Sequence, residues 1–446
     1  MTSSFVPSIV IVGRPNVGKS SLFNCLTKTR QALVADYPGL TRDRLMGRGI
    51  IGAHPYIIVD TSGLDVGKKM GIDVLVAQQT QRAIRDADTV LFVVDGRAGL
   101  TVLDELLAKK LRQLNKQMTL VVNKGEGLEP SQLLNEFALL GFATPCVISA
   151  AHGQGIEALM TQVLTDVPKD CAISVNTAED SSAQRIPRIK VAIIGKPNVG
   201  KSTLLNRILG EERVVVFDQP GTTRDSTAHD VSYRDKEYTF MDTAGIRRQS
   251  KTRQGIEKFS VIKSLQAIEA CHVVVLLIDA KEGVSDQDLH LLGFILEVGK
   301  ALVIAVNKWD GLSAEQRSQV KNALERRLQF VNFAKIIFIS ALHGTGVGNV
   351  FSLIQQAYRS ATHPLSTSRL TRLLEQAVSA HQPPLSGGRT IKLRYAHPGG
   401  YNPPMILIHG QHTRYLAESY RRYLENFYRK HLRIVGSPIS IEFRDK

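Results

Sequence analysis

The sequence predicts an α/β chain of two tandem P-loop domains, each a mostly parallel sheet with helices on both faces, followed by a small basic domain. Three observations carry this. Short apolar runs alternate with helix-length amphipathic segments through most of the chain. A glycine-rich octet ending in Lys-Ser follows the first apolar run of each half. Further motifs then recur in one order at nearly one offset.

The strands are read from the apolar runs at residues 9–12, 56–59, 90–94, 120–122 and 146–148. The second half answers at 191–194, 238–241, 273–278, 302–306 and 336–339. Continuous apolar strands separated by helical stretches imply a sheet buried on both faces. Nearly every motif begins where such a strand ends, which is where open α/β sheets hold their ligands.

The duplication is quantitative. Pro38-Gly39-Leu40-Thr41-Arg42-Asp43 recurs as Pro220-Gly221-Thr222-Thr223-Arg224-Asp225, an offset of 182 that the octets share. Asn123-Lys124 matches Asn307-Lys308 at 184, and Ser149-Ala150 matches Ser340-Ala341 at 191. The expected domains are therefore 1–167 and 189–363, joined by a polar linker at 168–188, with 364–446 as the third.

The octets are Gly13-Arg14-Pro15-Asn16-Val17-Gly18-Lys19-Ser20 and Gly195-Lys196-Pro197-Asn198-Val199-Gly200-Lys201-Ser202. Each stands between a strand and a helix, the setting a phosphate-binding loop requires. Glycines turn the chain tightly, and backbone N–H groups converge on phosphate oxygens. Lys19 and Lys201 are expected to reach the β- and γ-phosphates, and Ser20 and Ser202 to ligate Mg2+. Thr41 and Thr223 follow the first helix of each half. A hydroxyl there can bind Mg2+ only while a γ-phosphate holds the loop in place. Asp60-Thr61-Ser62-Gly63 and Asp242-Thr243-Ala244-Gly245 end the next strand. Their aspartates are expected to hold the metal through water, and Gly63 and Gly245 to sense the γ-phosphate by backbone N–H.

Asn307-Lys308-Trp309-Asp310 ends a later strand. Its aspartate can accept from guanine's ring N–H and exocyclic amine, a pair that adenine does not offer. Ser340-Ala341 would add a backbone contact to the guanine oxygen, and Ser149-Ala150 holds the corresponding place. The first half departs at the carboxylate and reads Asn123-Lys124-Gly125-Glu126. Glutamate sets the group about 1.3–1.5 Å farther out. Guanine preference is expected to persist there, with altered affinity or selectivity.

Many GTPases place a glutamine after D-x-x-G to orient the attacking water. Here those positions are Leu64 and Ile246, which cannot hydrogen-bond water. Catalysis must then rest on the lysine, Mg2+ and loop N–H groups, and slow intrinsic turnover is expected.

Composition bounds the partners. With 446 residues, 43% hydrophobic and 22% charged, the chain can bury two or three cores. A net charge of +15 favours polyanions, nucleic acid and anionic membrane alike. Cys25, Cys146, Cys171 and Cys271 form no C-x-x-C pair, so neither a disulfide framework nor a zinc site is expected. No apolar run approaches the ~18 residues of a membrane span, and residues 1–7 lack a secretory pattern. A cytoplasmic protein is expected. Residues 364–446 hold 13 Lys or Arg against 5 Asp or Glu, a net +8. Arg421, Arg422, Arg429, Lys430 and Arg433 share one helical stretch with Tyr420, Tyr423, Phe427 and Tyr428. That pattern suits basic contacts to RNA phosphates, with the aromatics packed inward or stacked on bases.

Tandem domains with P-N-V-G-K-S, P-G-x-T-R-D, an apolar residue after D-T-x-G and a short C-terminal domain resemble the bacterial EngA (Der) GTPases. Leu393-Arg-Tyr-Ala-His-Pro-Gly-Gly-Tyr-Asn-Pro-Pro404 and Ser419-Tyr-Arg-Arg-Tyr-Leu-Glu-Asn426 are also similar to that family's tail. The resemblance implies hydrolysis of GTP to GDP and a KH-like C-terminal domain. It also implies assembly of the large ribosomal subunit, through the subunit or its rRNA, by a monomer with no stable membrane association. Potassium-stimulated hydrolysis is a further implication. Asn16 and Asn198 match the position that helps hold K+ in related GTPases, loop-shaping being the other reading. Residues 364–446 contain no G-x-x-G, the loop with which typical KH domains clamp RNA. Packing against the GTPase domains is the other employment open to this domain. A tRNA-modifying GTPase would need an additional catalytic domain, and a membrane-remodelling one an anchor or lipidation motif; neither pattern is present.

Overall fold

The computed structural model describes residues 6–27, 46–51, 54–61, 78–114, 116–165, 188–210, 214–217, 228–234, 236–242, 260–385 and 389–445. These fall into two compact units. One holds the described residues up to 165 together with 260–270; the other holds the rest.

The first unit is a six-stranded sheet in the order β2-β3-β1-β4-β5-β6. Its strands are β1 (Ser8–Val12), β2 (Met46–Ile51), β3 (His54–Asp60), β4 (Thr89–Asp95), β5 (Met118–Asn123) and β6 (Cys146–Val147). Neighbours run parallel except β2 against β3. Helices α1 (Lys19–Thr27), α2 (Gln78–Asp86), α3 (Val102–Arg112), α4 (Pro130–Ala138) and α5 (Ile156–Thr165) connect them. Both β1 and β4 are buried along their whole length, which is why they are uninterrupted apolar runs. Their adjacency, with β3 on the other side of β1, makes the topological switch point where α/β sheets bind ligands.

The second unit repeats this with one strand more, in the order β13-β12-β11-β7-β10-β9-β8. The strands are β7 (Ile189–Gly195), β8 (Val214–Phe217), β9 (Ala228–Tyr233), β10 (Lys236–Asp242), β11 (Val273–Asp279), β12 (Ala301–Asn307) and β13 (Lys335–Phe338). Helices α6 (Lys201–Leu209), α7 (Val261–Ala270), α8 (Asp286–Val298), α9 (Ala314–Arg327) and α10 (Val347–Thr362) complete the set. Of these, α7 groups with the first unit, where its Glu269 pairs with Arg48 at 2.8 Å. Tyr233 stacks on Phe351 at 4.1 Å in the core of the second unit, and Tyr238 and Phe240 meet the same ring edge-on.

All ten apolar runs form strands. Three further strands of these two sheets were not read from the sequence: β2, β8 and β9, all joined antiparallel at one side of their sheets, β8 being an apolar run of only four residues. Glycine and polar residues interrupt β2 and β9, which bury their side chains only in part and so need no continuous apolar run.

The small C-terminal domain belongs to the second unit. Helices α11 (Thr367–Ala380) and α12 (Glu418–Leu432) pack on a sheet of β14 (Lys392–Gly400), β15 (Met405–Gln411) and β16 (Ser440–Asp445). Leu370, Leu374, Ile406, Ile408, Leu424 and Tyr428 fill the core between them. Backbone bonds tie this domain to the second P-loop domain: Leu302 N to Gly436 O at 2.7 Å, Gly436 N to Phe333 O at 2.7 Å and Asn402 N to Ala361 O at 3.0 Å.

Candidate nucleotide-binding sites

The two octets leave β1 and β7 at their carboxyl ends and enter α1 and α6. Val17 and Val199 are buried and anchor each loop, while Pro15, Asn16, Pro197 and Asn198 are exposed. Asn16 (φ 66°) and Asn198 (φ 61°) take the left-handed conformation that Asn tolerates better than most residues. Gly18 and Gly200 have φ of 93° and 102°. A Cβ on either would lie 2.3 Å from the side-chain amide nitrogen of Asn123 or Asn307. Only glycine therefore lets each asparagine press against its phosphate loop.

Those asparagines join two loops that are far apart in sequence. Asn123 Nδ2 donates to Val17 O at 2.9 Å, and its Oδ1 accepts from Ala150 N at 3.0 Å. Asn307 repeats the arrangement with Val199 O at 2.8 Å and Ala341 N at 2.9 Å. The 149–150 and 340–341 segments are thereby brought to the same place as the octets.

The loop lysines are buried. Lys19 Nζ donates to Gly13 O and Arg14 O, each at 2.8 Å, and Lys201 Nζ donates to Lys196 O at 2.6 Å. Burial depresses the Lys19 pKa below its ordinary value; Asp60 opposes that shift and Arg14 reinforces it. An ammonium held in this way can exchange loop carbonyls for phosphate oxygens with little movement. Arg14 lies 3.3 Å from the buried Asp104, which also caps α3 together with Thr101. Lys196 lies 2.7 Å from Glu282 and 3.8 Å from Asp288, the equivalent cap of α8.

Ser20 Oγ donates to Asp60 Oδ2 at 2.8 Å. A hydroxyl beside a carboxylate is a pair of hard oxygen ligands, a donor set that fits Mg2+. Thr61 beside them is fixed by donating to Ile11 O at 2.9 Å. Ser202 opens α6 at the matching position, and Asp242 ends β10. Thr41, Ser62, Gly63, Leu64, Thr223, Thr243, Ala244, Gly245 and Ile246 lie outside the described residues.

At the other end of each site, Lys124 Nζ donates to Asp95 Oδ2 at 2.6 Å and to Asn16 O at 2.9 Å. Lys308 Nζ donates to Asp279 Oδ2 at 2.5 Å. Gly125 N is bound to Ile148 O at 3.0 Å and Trp309 N to Ile339 O at 3.2 Å, and Trp309 lies on Phe338 at 4.1 Å. The two carboxylates differ in their partners. Asp310 faces His343 Nε2 at 3.3 Å, whereas Glu126 Oε1 is paired with Arg97 Nη2 at 2.8 Å. Neighbouring serine hydroxyls, Ser149 for Glu126 and Ser340 for Asp310, are the main influence holding both carboxyls below their usual range.

Each half thus gathers a buried ammonium, an asparagine that binds the octet's backbone and, in the Asn-Lys segment, a carboxylate; in the first, a serine hydroxyl also donates to an aspartate carboxylate. Sequence reasoning missed Asp95, Asp279, Arg97, Asp104, Asp288 and His343. A signal for the first two was present: both end apolar runs, at the 184 offset of the Asn-Lys pairs.

On α12, the aromatics pack inward. Tyr420, Tyr423 and Tyr428 donate their hydroxyls to the carbonyls of His381, Ala377 and Leu370 at 2.6, 2.9 and 3.0 Å. The basic set divides. Arg421 and Arg429 bond Leu416 O and Ser437 O and lie over Phe443 and Phe333, while Lys430 and Arg433 are exposed.

A family model described as 50S ribosome-binding GTPase matches this chain twice, at residues 8–124 and 190–308. The KH-domain-like model of the C-terminal part of EngA bacterial GTPases matches 365–444. GTPase Der of Thioalkalivibrio sulfidiphilus is 54% identical over 439 residues, covering 98% of this chain and 93% of the relative. GTPase Der of Vibrio cholerae is 52% identical over 462 residues, covering 99% and 93%. Among solved structures, Era of Aquifex aeolicus bound to GDP and AlF4- is similar at 25% identity, over 58% of this chain and 92% of that one, with a TM-score of 0.30.

Proposed function

The chain belongs to the EngA (Der) family of tandem-domain bacterial GTPases, and from that premise we propose that it is a switch in ribosome biogenesis that binds the large subunit or its rRNA according to nucleotide state. It is a GTP-hydrolysing enzyme. The observation that most supports the switch reading is the duplication of one site, down to the asparagine that ties the base loop to the phosphate loop in each half.

In this reading Lys19 and Lys201, with the loop N–H groups of 13–18 and 195–200, hold the β- and γ-phosphates. Ser20 and Asp60, and likewise Ser202 and Asp242, hold Mg2+, which supplies charge neutralisation at the phosphates when bound. Thr41 and Thr223 add a ligand only in the GTP state, and Gly63 and Gly245 bond the γ-phosphate through their N–H groups. Hydrolysis removes the γ-phosphate and releases both loops. Asp310 and Glu126 read the base, and Lys124 and Lys308 wall it while their aspartate partners keep them in place.

With Leu64 and Ile246 unable to orient water, turnover rests on electrostatic stabilisation of charge developing on the phosphates. Asn16 and Asn198, exposed beside the phosphate position, are assigned to K+, which would raise that turnover. The protein is proposed to act as a cytoplasmic monomer; among the described residues no helix is long and apolar enough to cross a membrane.

Gradient co-sedimentation with separated ribosomal subunits tests the proposal. A non-hydrolysable GTP analogue should carry the chain with the large subunit, and GDP should release it. Absence from both subunits in either state, at low salt as well as high, removes the ribosome from the reading.

A further inference from the structure

The two base-reading carboxylates sit in different electrostatic settings, and the difference traces to one side chain. Asp95 and Asp279 each end a strand and turn the chain with the same side-chain-to-backbone bond. Arg97 N donates to Asp95 Oδ1 at 3.0 Å and Lys281 N to Asp279 Oδ1 at 2.9 Å. Arg97 and Lys281 are therefore equivalent positions. Their side chains diverge. Lys281 lies along Gly311, its Cε 3.2 Å from where a Cβ would stand, and the ion pair of Asp310 is made with His343. Arg97 instead reaches the carboxylate itself, Nη2 to Glu126 Oε1 at 2.8 Å. That oxygen stands one methylene farther from its backbone than the carboxylate of Asp310.

Glu126 consequently has one oxygen committed to Arg97. The other, Oε2, is out of contact with solvent and makes no hydrogen bond of good geometry among the described residues, although the Ser149 hydroxyl lies near the carboxylate. Strict selection of guanine by a carboxylate needs both oxygens free to accept, one from the ring N–H and one from the amine at C2. A guanidinium beside the carboxylate has spare N–H donors, and more than half of the Arg97 side chain is exposed. Those donors complement a carbonyl at C2, which a lone carboxylate repels.

We propose that Arg97 and Glu126 together determine the base selectivity of the first site, relaxing it from guanine toward xanthine nucleotides, while Asp310 keeps the second site strict for guanine. This rests on the reading of Glu126 as the base-facing carboxylate. The departure from Asn-Lys-x-Asp is then a change of what the site accepts, and Arg97 is the specificity-determining partner that makes the change tolerable.

The test is displacement of a fluorescent GDP analogue by GDP, XDP and ADP from the full-length chain, with one site disabled at a time by Lys201→Met or Lys19→Met. The first site should prefer GDP to XDP by no more than roughly tenfold, and the second by a hundredfold or more. Arg97→Ala should raise the GDP:XDP preference of the first site by roughly tenfold or more, because it frees the carboxylate and removes the donors. Arg97→Lys should fall between Arg97→Ala and the parent, and adding Glu126→Asp to Arg97→Lys should bring the first site toward the second. Equal discrimination by both sites, or a ratio unmoved by Arg97→Ala, overturns the proposal. Failure of the first site to bind any of the three overturns it together with the reading on which it rests.

Discussion

Replacing Asn307 by alanine is the most direct test of how the second site is assembled. The amide makes two buried bonds, to Val199 O at 2.8 Å and from Ala341 N at 2.9 Å, and Asn307 is itself only 3% exposed. Truncation leaves a buried carbonyl and a buried N–H without partners, at about 1–3 kcal/mol each. A water entering the vacated space would satisfy part of this, so the lower end, about 2 kcal/mol, is the working figure. In calorimetry of the full chain, about 2 kcal/mol corresponds to a fall of roughly 4–8 °C in the transition of a domain this size. If the loss falls on the bound conformation instead, GDP affinity of the second site drops roughly thirtyfold. Asn307→Asp keeps an acceptor for Ala341 but turns a carboxylate toward the Val199 carbonyl, and should be at least as damaging. A variant with both an unchanged melting profile and GDP affinity within twofold of the parent would refute the claim that this amide joins the base loop to the phosphate loop.

Gly18→Ala should weaken nucleotide binding at the first site by roughly tenfold or more while leaving the chain folded, because the added Cβ meets the Asn123 amide at 2.3 Å in a loop already at φ 93°; circular dichroism with titration of a fluorescent nucleotide checks this, and undiminished binding would contradict it. On α12, burial pushes the Glu425 pKa up to about 7, against the pull of Arg429 and, more weakly, of Arg422 and Arg421, and with some help from Glu418. The folded domain then retains a proton that the unfolded chain has lost, so stability falls as pH rises from about 4.5 to about 7. Glu425→Gln should flatten that slope and stabilise the C-terminal domain at pH 8 by about 1–2 kcal/mol, allowing for its partial exposure, and denaturation midpoints at pH 5 and pH 8 that move in parallel for both proteins would count against it.

Much of the site was legible because its chemistry is local. A phosphate loop needs glycines, a lysine and a hydroxyl within eight residues, between a strand and a helix, and residues 13–20 and 195–202 state that directly. The strands were legible for a similar reason: β1, β4, β7, β11 and β12 are covered on both faces, so each is an unbroken apolar run. Strands β2 and β9 were not, because partly buried strands at the side of a sheet carry polar or glycine residues that match no period well, and β8 is an apolar run of only four residues. In the C-terminal domain the inward packing of Tyr420 and Tyr428 was one of two readings the sequence allowed, and the division of the arginines was not legible at all. Whether Arg429 faces solvent or lies over Phe333 depends on where a distant loop of the second GTPase domain comes to rest.

By itself, the sequence determined that this chain holds two copies of one GTP-binding design and a basic third domain, since repetition, periodicity and short motifs all act within a few residues. Only the tertiary structure decided what stands next to each motif. That Asn123 and Asn307 clamp loops more than a hundred residues away, that Asp95 and Asp279 hold the base-loop lysines, and that Arg97 takes one oxygen of Glu126 are consequences of strand order. Parallel β1, β4 and β5 bring their carboxyl ends side by side, so residues remote along the chain meet at one edge of the sheet and each charge acts on the next.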